Sequence, residues 1–165
     1  MERIGRVPVM AGQESVWDYP RPPRLERTAK RIEVFAGGRQ VASSAAAFRV
    51  LETSHPPVYY IPVADIAPGV LRPATRQTFC EFKGTASYYD LDLGDATIPN
   101  AAWYYPNPSR GFEPIAGHVA FYPSLVERCL VDGEEARAQP GGFYGGWITR
   151  DIIGPFKGEP GSAGW

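Results

Sequence analysis

The two residues with the clearest potential for covalent chemistry are Cys80 and His55. An imidazole beside a thiol can act as its base, so this pair would suit a nucleophile or a redox thiol. The other cysteine, Cys129, lies far away in the sequence and provides no obvious resolving partner. A free cysteine is also among the most frequently buried residue types and commonly packs as a small hydrophobic side chain. Two interpretations of Cys80 therefore stay open, a catalytic thiol and, in preference, a core residue.

His55 lies in the segment ETSHPP, directly before Pro56 and Pro57. A residue before proline is restricted to extended backbone geometry, which here projects the imidazole from a fixed bend at the end of a strand. Loop residues at strand ends often carry binding or catalytic roles. His55 is accordingly either a loop cap that hydrogen-bonds the backbone or a polar contact at the mouth of a pocket.

Metal ligation is a third chemistry that cysteine and histidine could provide. The chain holds two Cys and two His, and none of them lies in the close pairs typical of structural zinc sites. We expect no metal site and no cofactor.

Aromatic side chains are the most abundant material for a binding site in this sequence. They account for 13% of the chain and occur in short runs such as VYYIP, AAWYYP and HVAFYP. Adjacent residues of a strand face opposite sides of a sheet, so these runs place rings on both faces. One face is needed for the core, and the other would carry an apolar surface too large to be left to water.

That second face could be covered by the chain's own ends, by a second subunit or by a bound molecule. Small-molecule pockets are generally lined by apolar and aromatic side chains with a few polar groups. We predict a pocket built from three wall residues, two flanking rings and two polar contacts: Trp103, Tyr105 and Trp147; Tyr59 and Tyr88; and His55 and Lys83.

Short strands are the elements that would position these side chains. The 18 Gly and 17 Pro interrupt every apolar run, which favours an all-β domain with many turns. Gly37-Gly38, Lys83-Gly84-Thr85 and Asp132-Gly133 are typical of strand connections, and residues 63–71 (VADIAPGVL) form the one short helical candidate. The predicted fold is mainly β, a single compact domain of antiparallel sheets with at most one or two short helices.

The two ends of the chain differ in composition from the middle. Residues 1–30 lack periodicity and are rich in proline, which predicts an extended N-terminal arm before a β-rich domain at residues 31–165. The arm would pack on its own domain through Trp17 and Tyr19 or, alternatively, reach a second subunit. The Gly-rich and aromatic C-terminal tail is expected to lie ordered along the sheet.

Charge and hydropathy exclude two classes of partner. The 17 lysines and arginines nearly balance the 18 acidic residues, whereas a binder of nucleic acid or of a membrane surface would carry a basic excess. Proline breaks the apolar runs before they reach membrane-spanning length, and the N-terminal residues lack the apolar stretch of a signal peptide. We expect a cytoplasmic protein with no nucleic-acid or membrane partner.

Several sequence blocks between about Tyr19 and Trp165 carry a family resemblance. They are YPRPPRLE, LETSHPPVYYIP, CEFKGTASYY, AAWYYPNP, HVAFYP, VDGEEARAQPGGFYGGWIT and IIGPFKGEPGSAGW. In this order they resemble the signature blocks of the bacterial family called domain of unknown function 427. The resemblance implies a single domain of the β-tent type, and it implies no reaction because the family is named for lacking an assigned activity.

The resemblance also bears on the site. Other β-tent proteins, such as the ligand-binding domain of cereblon, hold ligands in an aromatic cage, which implies the same kind of site here. The family commonly has Cys-Pro-aromatic-Lys-Gly, whereas Cys80 is followed by Glu81 and Phe82. The missing proline alters the local turn and places a carboxylate beside the thiol.

The sequence therefore favours a domain that binds an unidentified small molecule or a modified side chain in an aromatic pocket. One alternative is a thiol or redox enzyme that uses Cys80 with His55. The other alternative is a structural protein that forms a homodimer through its aromatic face and its N-terminal arm.

Overall fold

The computed structural model describes residues 5–165, and within this range it contains fifteen strands, three 3-10 turns and no α-helix. No helix in this range is long and apolar enough to cross a membrane. The 3-10 turns are Val16–Asp18, Val63–Asp65 and Glu113–Ile115. The strands are β1 (Glu14–Ser15), β2 (Arg24–Arg27), β3 (Ile32–Ala36), β4 (Arg39–Ser44), β5 (Phe48–Leu51), β6 (Val58–Pro62), β7 (Leu71–Cys80), β8 (Gly84–Asp92), β9 (Thr97–Tyr104), β10 (His118–Phe121), β11 (Arg128–Val131), β12 (Glu134–Glu135), β13 (Arg137–Ala138), β14 (Trp147–Ile148) and β15 (Ile152–Ile153).

Two antiparallel sheets make up most of the domain. The larger sheet has seven strands in the order β2-β5-β6-β10-β9-β8-β7, and the smaller has four in the order β12-β11-β3-β4. Two short pairs complete the fold, an antiparallel pair of β13 with β14 and a parallel pair of β1 with β15. The prediction of a mainly β domain of antiparallel sheets is confirmed.

Two of the predicted turns connect strands as expected. Gly37 and Gly38 join β3 to β4, and Asp132 and Gly133 join β11 to β12. All four residues have positive φ angles, between 47° and 81°, which is the geometry that tight hairpin turns require. Glycine reaches this region without a steric penalty, so the sequence indicated both turns correctly.

Two other predicted boundaries are corrected by the structure. The connection between β7 and β8 consists of residues 81–83 rather than Lys83-Gly84-Thr85, because Gly84 already pairs with Cys80 in the sheet. The helical candidate at residues 63–71 is a single 3-10 turn that ends at Asp65. Pro68 and a positive φ at Gly69 prevent any longer helix before β7 begins.

The seven-stranded sheet separates two apolar clusters, because alternate residues of its strands face opposite sides. The central core joins this sheet to the four-stranded sheet, for example through Ile32 of β3 and Phe121 of β10. On β6, Tyr59 packs into that core and Tyr60 faces the opposite side. The buried residues on this opposite side, here called the aromatic cluster, are Phe48, Val50, Tyr60, Ala86, Tyr88, Trp103, Tyr105, Phe112, Ile115, Ala120 and Tyr122.

The N-terminal segment and the C-terminal tail pack against each other. The indole of Trp17 donates a hydrogen bond to the carbonyl oxygen of Pro155 at 2.9 Å, and Tyr19 is buried in a cluster with residues of the tail. Strand β2 is the edge strand next to β5. Residues 1–4 of the predicted arm lie outside the described residues, and the division of the chain at residue 30 stays a prediction.

Candidate ligand-binding cavity

A cavity of about 480 Å³ lies on the side of the seven-stranded sheet that carries the aromatic cluster. Its lining comes from residues of strands β5 to β9, from the loop between β5 and β6, from the turn between β7 and β8, and from the C-terminal tail, with Arg21 and Tyr122 in addition. The volume falls within the usual range for small-molecule sites. The cavity is therefore large enough to hold a small organic molecule.

Neighbouring strands supply the aromatic walls. Trp103 on β9 and Tyr88 on β8 are direct cross-strand partners, so their rings share one face of the sheet. The Nε1 of Trp103 donates a hydrogen bond to the hydroxyl of Tyr60 at 3.3 Å. The ring centroids of Tyr122 and Trp103 are 4.5 Å apart. These contacts fix the rings before any ligand is bound, which reduces the entropic cost of binding.

The phenol hydroxyls along these walls are neutral hydrogen-bonding groups. The hydroxyl of Tyr88 lies 3.0 Å from Thr78 Oγ1 and 3.4 Å from the hydroxyl of Tyr122. Burial raises the pKa of Tyr105 and of Tyr122 above the ordinary value, so neither phenol ionises near neutral pH. The walls thus combine flat apolar surface with uncharged donors and acceptors.

The Gly-rich tail closes one side of the cavity. A Cβ atom at Gly145 would lie 2.1 Å from Cη2 of Trp103, and one at Gly146 would lie 2.5 Å from Cγ of Pro56. The backbone of the tail therefore rests directly on the wall, which only glycine permits at these two positions. The ring of Tyr144 also covers this side of the cavity, and its centroid lies 5.0 Å from that of the His55 ring.

The side chain of Gln139 fixes the tautomer of His55. The amide oxygen of Gln139 accepts a hydrogen bond from the backbone N–H of Gly146, and its nitrogen donates to the carbonyl oxygen of Lys157. With the amide oriented in this way, Nε2 of Gln139 donates to Nδ1 of His55 at 3.0 Å. The neutral imidazole therefore carries its hydrogen on Nε2.

His55 is neutral at physiological pH and has no free lone pair. Burial, together with the positive charges of Arg21, Lys83 and Lys157, lowers its pKa to about 4. Its one unprotonated nitrogen already accepts the hydrogen bond from Gln139. The ring is thus arranged to donate a hydrogen bond from Nε2 and is poorly suited to act as the base for a thiol.

The two cysteines lie in different environments. Cys80 ends strand β7, is partly exposed and lines the cavity. Cys129 is buried in the central core, where burial raises the pKa of its thiol. Both thiols are free.

Five of the seven residues predicted for the pocket line this cavity, and two lie elsewhere. The five are Trp103, Tyr105, Tyr88, His55 and Lys83. Tyr59 and Trp147 belong to the central core on the other side of the sheet, where their ring centroids are 4.9 Å apart. The binding roles of all seven residues stay predictions.

Several lining residues were missed in the sequence. Tyr60 neighbours Tyr59, and only the facing of β6 decides which of the two reaches the cavity. Gln139 lies in a loop with no recognisable motif, and its role depends on a hydrogen-bond network between distant segments. The composition of the tail showed that it is rich in aromatic residues. It did not show that Tyr144 and Trp165 would line this cavity.

Among the residues that the structure describes, no group of three or more His, Cys, Asp or Glu side chains is placed to hold a metal ion. The cavity offers instead the ammonium of Lys83, the N–H of His55 and the phenols as polar contacts. These groups suit an organic ligand better than a cation.

Comparison with known proteins places the chain in a family. The model of the family described as Domain of unknown function (DUF427) matches residues 24–132. No curated protein matches the chain. The matched region covers well over half of the sequence and includes the strands that carry Tyr60, Tyr88 and Trp103. The chain belongs to the domain of unknown function 427 family.

Proposed function

We propose that this domain binds a small molecule or a modified side chain in the cavity lined by Trp103, Tyr88 and Tyr105. The observation that carries the proposal is a cavity of about 480 Å³ on a sheet face whose rings are fixed by neighbouring side chains. A pre-formed apolar cavity with a few polar groups is the usual form of a ligand site.

The mouth of the cavity supports the proposal. Phe79 is 76% exposed and Phe143 is 59% exposed, and both rings belong to the lining. Exposed apolar side chains at one opening commonly mark a contact surface. They would extend the apolar contact of a ligand that is larger than the cavity or attached to another molecule.

A ligand-observed NMR screen of the full chain tests the proposal. The library consists of planar aromatic compounds, and each hit is repeated with Cys80→Phe, which adds a ring inside the lining. The matched control is Gln77→Phe, because Gln77 lies on the same strand, is exposed and does not line the cavity.

We expect hits with the wild type and with Gln77→Phe, and at least about tenfold weaker binding by Cys80→Phe, since the added ring occupies the space that a ligand needs. Equal binding by the two phenylalanine variants would show that the compounds bind elsewhere. A library that yields no hit would contradict a pre-formed aromatic site.

The thiol-enzyme alternative requires Cys80 to be reactive. Because the lone pair of His55 is occupied by Gln139, the structure offers this thiol no imidazole base. Alkylation by iodoacetamide across a range of pH separates the two cases, since Cys129 is 1% exposed and should stay silent in the folded protein. Rapid alkylation of Cys80 at neutral pH would favour the enzyme, and a native Cys80 that does not react would remove its nucleophile.

A further inference from the structure

Lys83 is the most unusual charged residue in the cavity. It is the last residue of the turn between β7 and β8 and is only 9% exposed, although lysine is almost never this deeply buried without a partner. Its Nζ lies 5.9 Å from the ring centroid of Tyr105. Within residues 5–165 it forms no ion pair with a carboxylate, and the side chain that interacts with its ammonium as a hydrogen-bonding neighbour is the thiol of Cys80.

The acidic residue that could neutralise Lys83 is already engaged. Glu52 Oε2 lies 3.3 Å from Nε of Arg21 and 3.7 Å from Nε2 of His55. Glu81, the other acidic lining residue, is the first residue of the same turn and is exposed. Lys83 thus lines the cavity without a carboxylate paired to it, and its ammonium is available to an anionic group of a ligand.

The protonation state of Lys83 is set by the groups around its ammonium. Burial lowers its pKa, but the neighbouring Tyr60, Cys80 and Glu52 more than offset this effect, and the net pKa is raised. The ammonium therefore remains charged at neutral pH.

Two other basic residues line the cavity, Arg21 and Lys157, and both are engaged within the protein. The guanidinium of Arg21 donates to Glu52 Oε2 at 3.3 Å and to the carbonyl oxygen of Thr53 at 2.8 Å. The Nζ of Lys157 donates to the carbonyl oxygens of Ser162 and Ala163 at 2.8 Å and 2.6 Å, so its hydrogen bonds are used within the tail. Lys83 has no such acceptors, and its side chain lines the cavity next to the aromatic walls. The charge available to a ligand is thus concentrated at Lys83.

From this arrangement we infer that the ligand is a planar ring compound that carries one anionic group, a carboxylate or a phosphate. Its ring lies against Trp103 and Tyr105, and its anionic oxygen atoms bind the ammonium of Lys83. The inference rests on the proposed function, because it assigns a chemical class to the ligand of the same cavity. Charge-assisted hydrogen bonds are about twice as strong as neutral ones, so the anionic group would be a main determinant of affinity.

Three probes that share one ring test the inference: naphthoate, naphthyl phosphate and the neutral naphthamide. Their dissociation constants are measured by isothermal titration calorimetry with the wild-type full chain, with Lys83→Met and with Lys83→Arg. The methionine variant removes the charge and keeps an apolar stem of similar length. The amide serves as an internal control for folding, since it needs the aromatic walls and not the charge.

We expect at least one anionic probe to bind the wild type about tenfold more tightly than the amide, which corresponds to one charge-assisted hydrogen bond. Lys83→Met should abolish that preference while the amide binds as before, and Lys83→Arg should restore part of it. Comparison of carboxylate with phosphate tells which anion the site prefers.

Two results would overturn the inference, and they are distinguishable. If the amide binds the wild type as tightly as the anions, or if Lys83→Met keeps the preference, the inference fails while the proposed function stands. If none of the three probes binds the wild type at millimolar concentration, both the inference and the proposed function are contradicted.

Discussion

Gly145 shows how one residue without a side chain shapes the cavity. Replacing it with alanine would place a methyl group 2.1 Å from Cη2 of Trp103, so either the tail or the ring must move. We expect Gly145→Ala to lower the free energy of unfolding by about 1–3 kcal/mol, the usual cost of overpacking, in urea denaturation followed by circular dichroism. Gly164→Ala is the matched control, since its Cβ would meet nothing within 4 Å. Equal stability of the two variants would show that the tail does not rest on the indole.

His55 should make the stability of the protein depend on pH. Its pKa is about 4 in the folded chain against an ordinary value of 6.5, chiefly because of burial. Between these values the unfolded chain binds a proton that the folded chain does not, so acidification favours unfolding. The stabilisation is complete above about pH 6.5 and is lost as the pH falls towards 4.

We therefore expect the free energy of unfolding of the wild type to fall between pH 7 and pH 4 by about 3 kcal/mol more than that of His55→Gln. Urea denaturation of both proteins at a series of pH values measures this difference. Other titrating groups affect both proteins alike and cancel in the comparison. Parallel pH profiles would mean that His55 is not held neutral by burial.

For single residues, the sequence indicated which residue types line the cavity better than it indicated which side of the sheet each residue faces. Trp103, Tyr88 and Lys83 were recognised because rings and a lysine beside a turn are plausible contacts, and they line the cavity. Tyr59 was chosen over Tyr60 although they are neighbours with the same side chain. Both faces of this sheet are apolar, so the usual alternation of polar and apolar residues could not tell which tyrosine faces the cavity.

Arg49 links three strands at one edge of the larger sheet. From β5, its guanidinium lies 2.5 Å from Glu14 of β1 and 2.6 Å from Glu26 of β2, and its side chain is only 15% exposed. We expect Arg49→Met to lower the free energy of unfolding by about 2 kcal/mol, because both carboxylates lose charge-assisted hydrogen bonds in a partly buried place.

Arg24→Met is the control for this prediction. Arg24 also faces Glu26, but the distance is 3.5 Å and its side chain is 54% exposed. Exposed ion pairs contribute little, so this variant should change the stability by no more than about 0.5 kcal/mol. If chemical denaturation shows the same loss for both arginines, the Arg49 contacts do not tie the N-terminal segment to the sheet.

Elements bounded by strong turn residues were the easiest to predict. The hairpins at Gly37-Gly38 and Asp132-Gly133 follow from backbone angles that few other residues adopt. Strand β7 extends from Leu71 to Cys80, and its pairing with β8 shifts between Pro73 and Gln77. A shift of this kind depends on the partner strand and leaves no local pattern in the sequence.

For the whole molecule, the surplus of aromatic surface explains the arrangement of the layers. One face of the larger sheet joins the central core, and the other is covered by the tail around a cavity. Fold class was predictable because glycine and proline divide the chain into short strands. The cavity was less predictable, because its last side is formed by residues 139–165, which reach it only when the tail folds back over the sheet.

This covering also leads to an expectation about assembly. Phe79 and Phe143 are the most exposed rings of the described residues, and both lie at the cavity rather than on a broad flat face. We expect the full chain to sediment as a monomer at micromolar concentrations. A stable dimer in analytical ultracentrifugation would instead favour the homodimer alternative.

The most direct test of the central claim is a crystal structure of the full chain with the tightest-binding compound from the aromatic library. We predict electron density for the ring of that compound inside the cavity, in contact with Trp103 and beneath the backbone at Gly145. Density for the compound at another surface, with only solvent beside Trp103, would contradict a ligand site in this cavity.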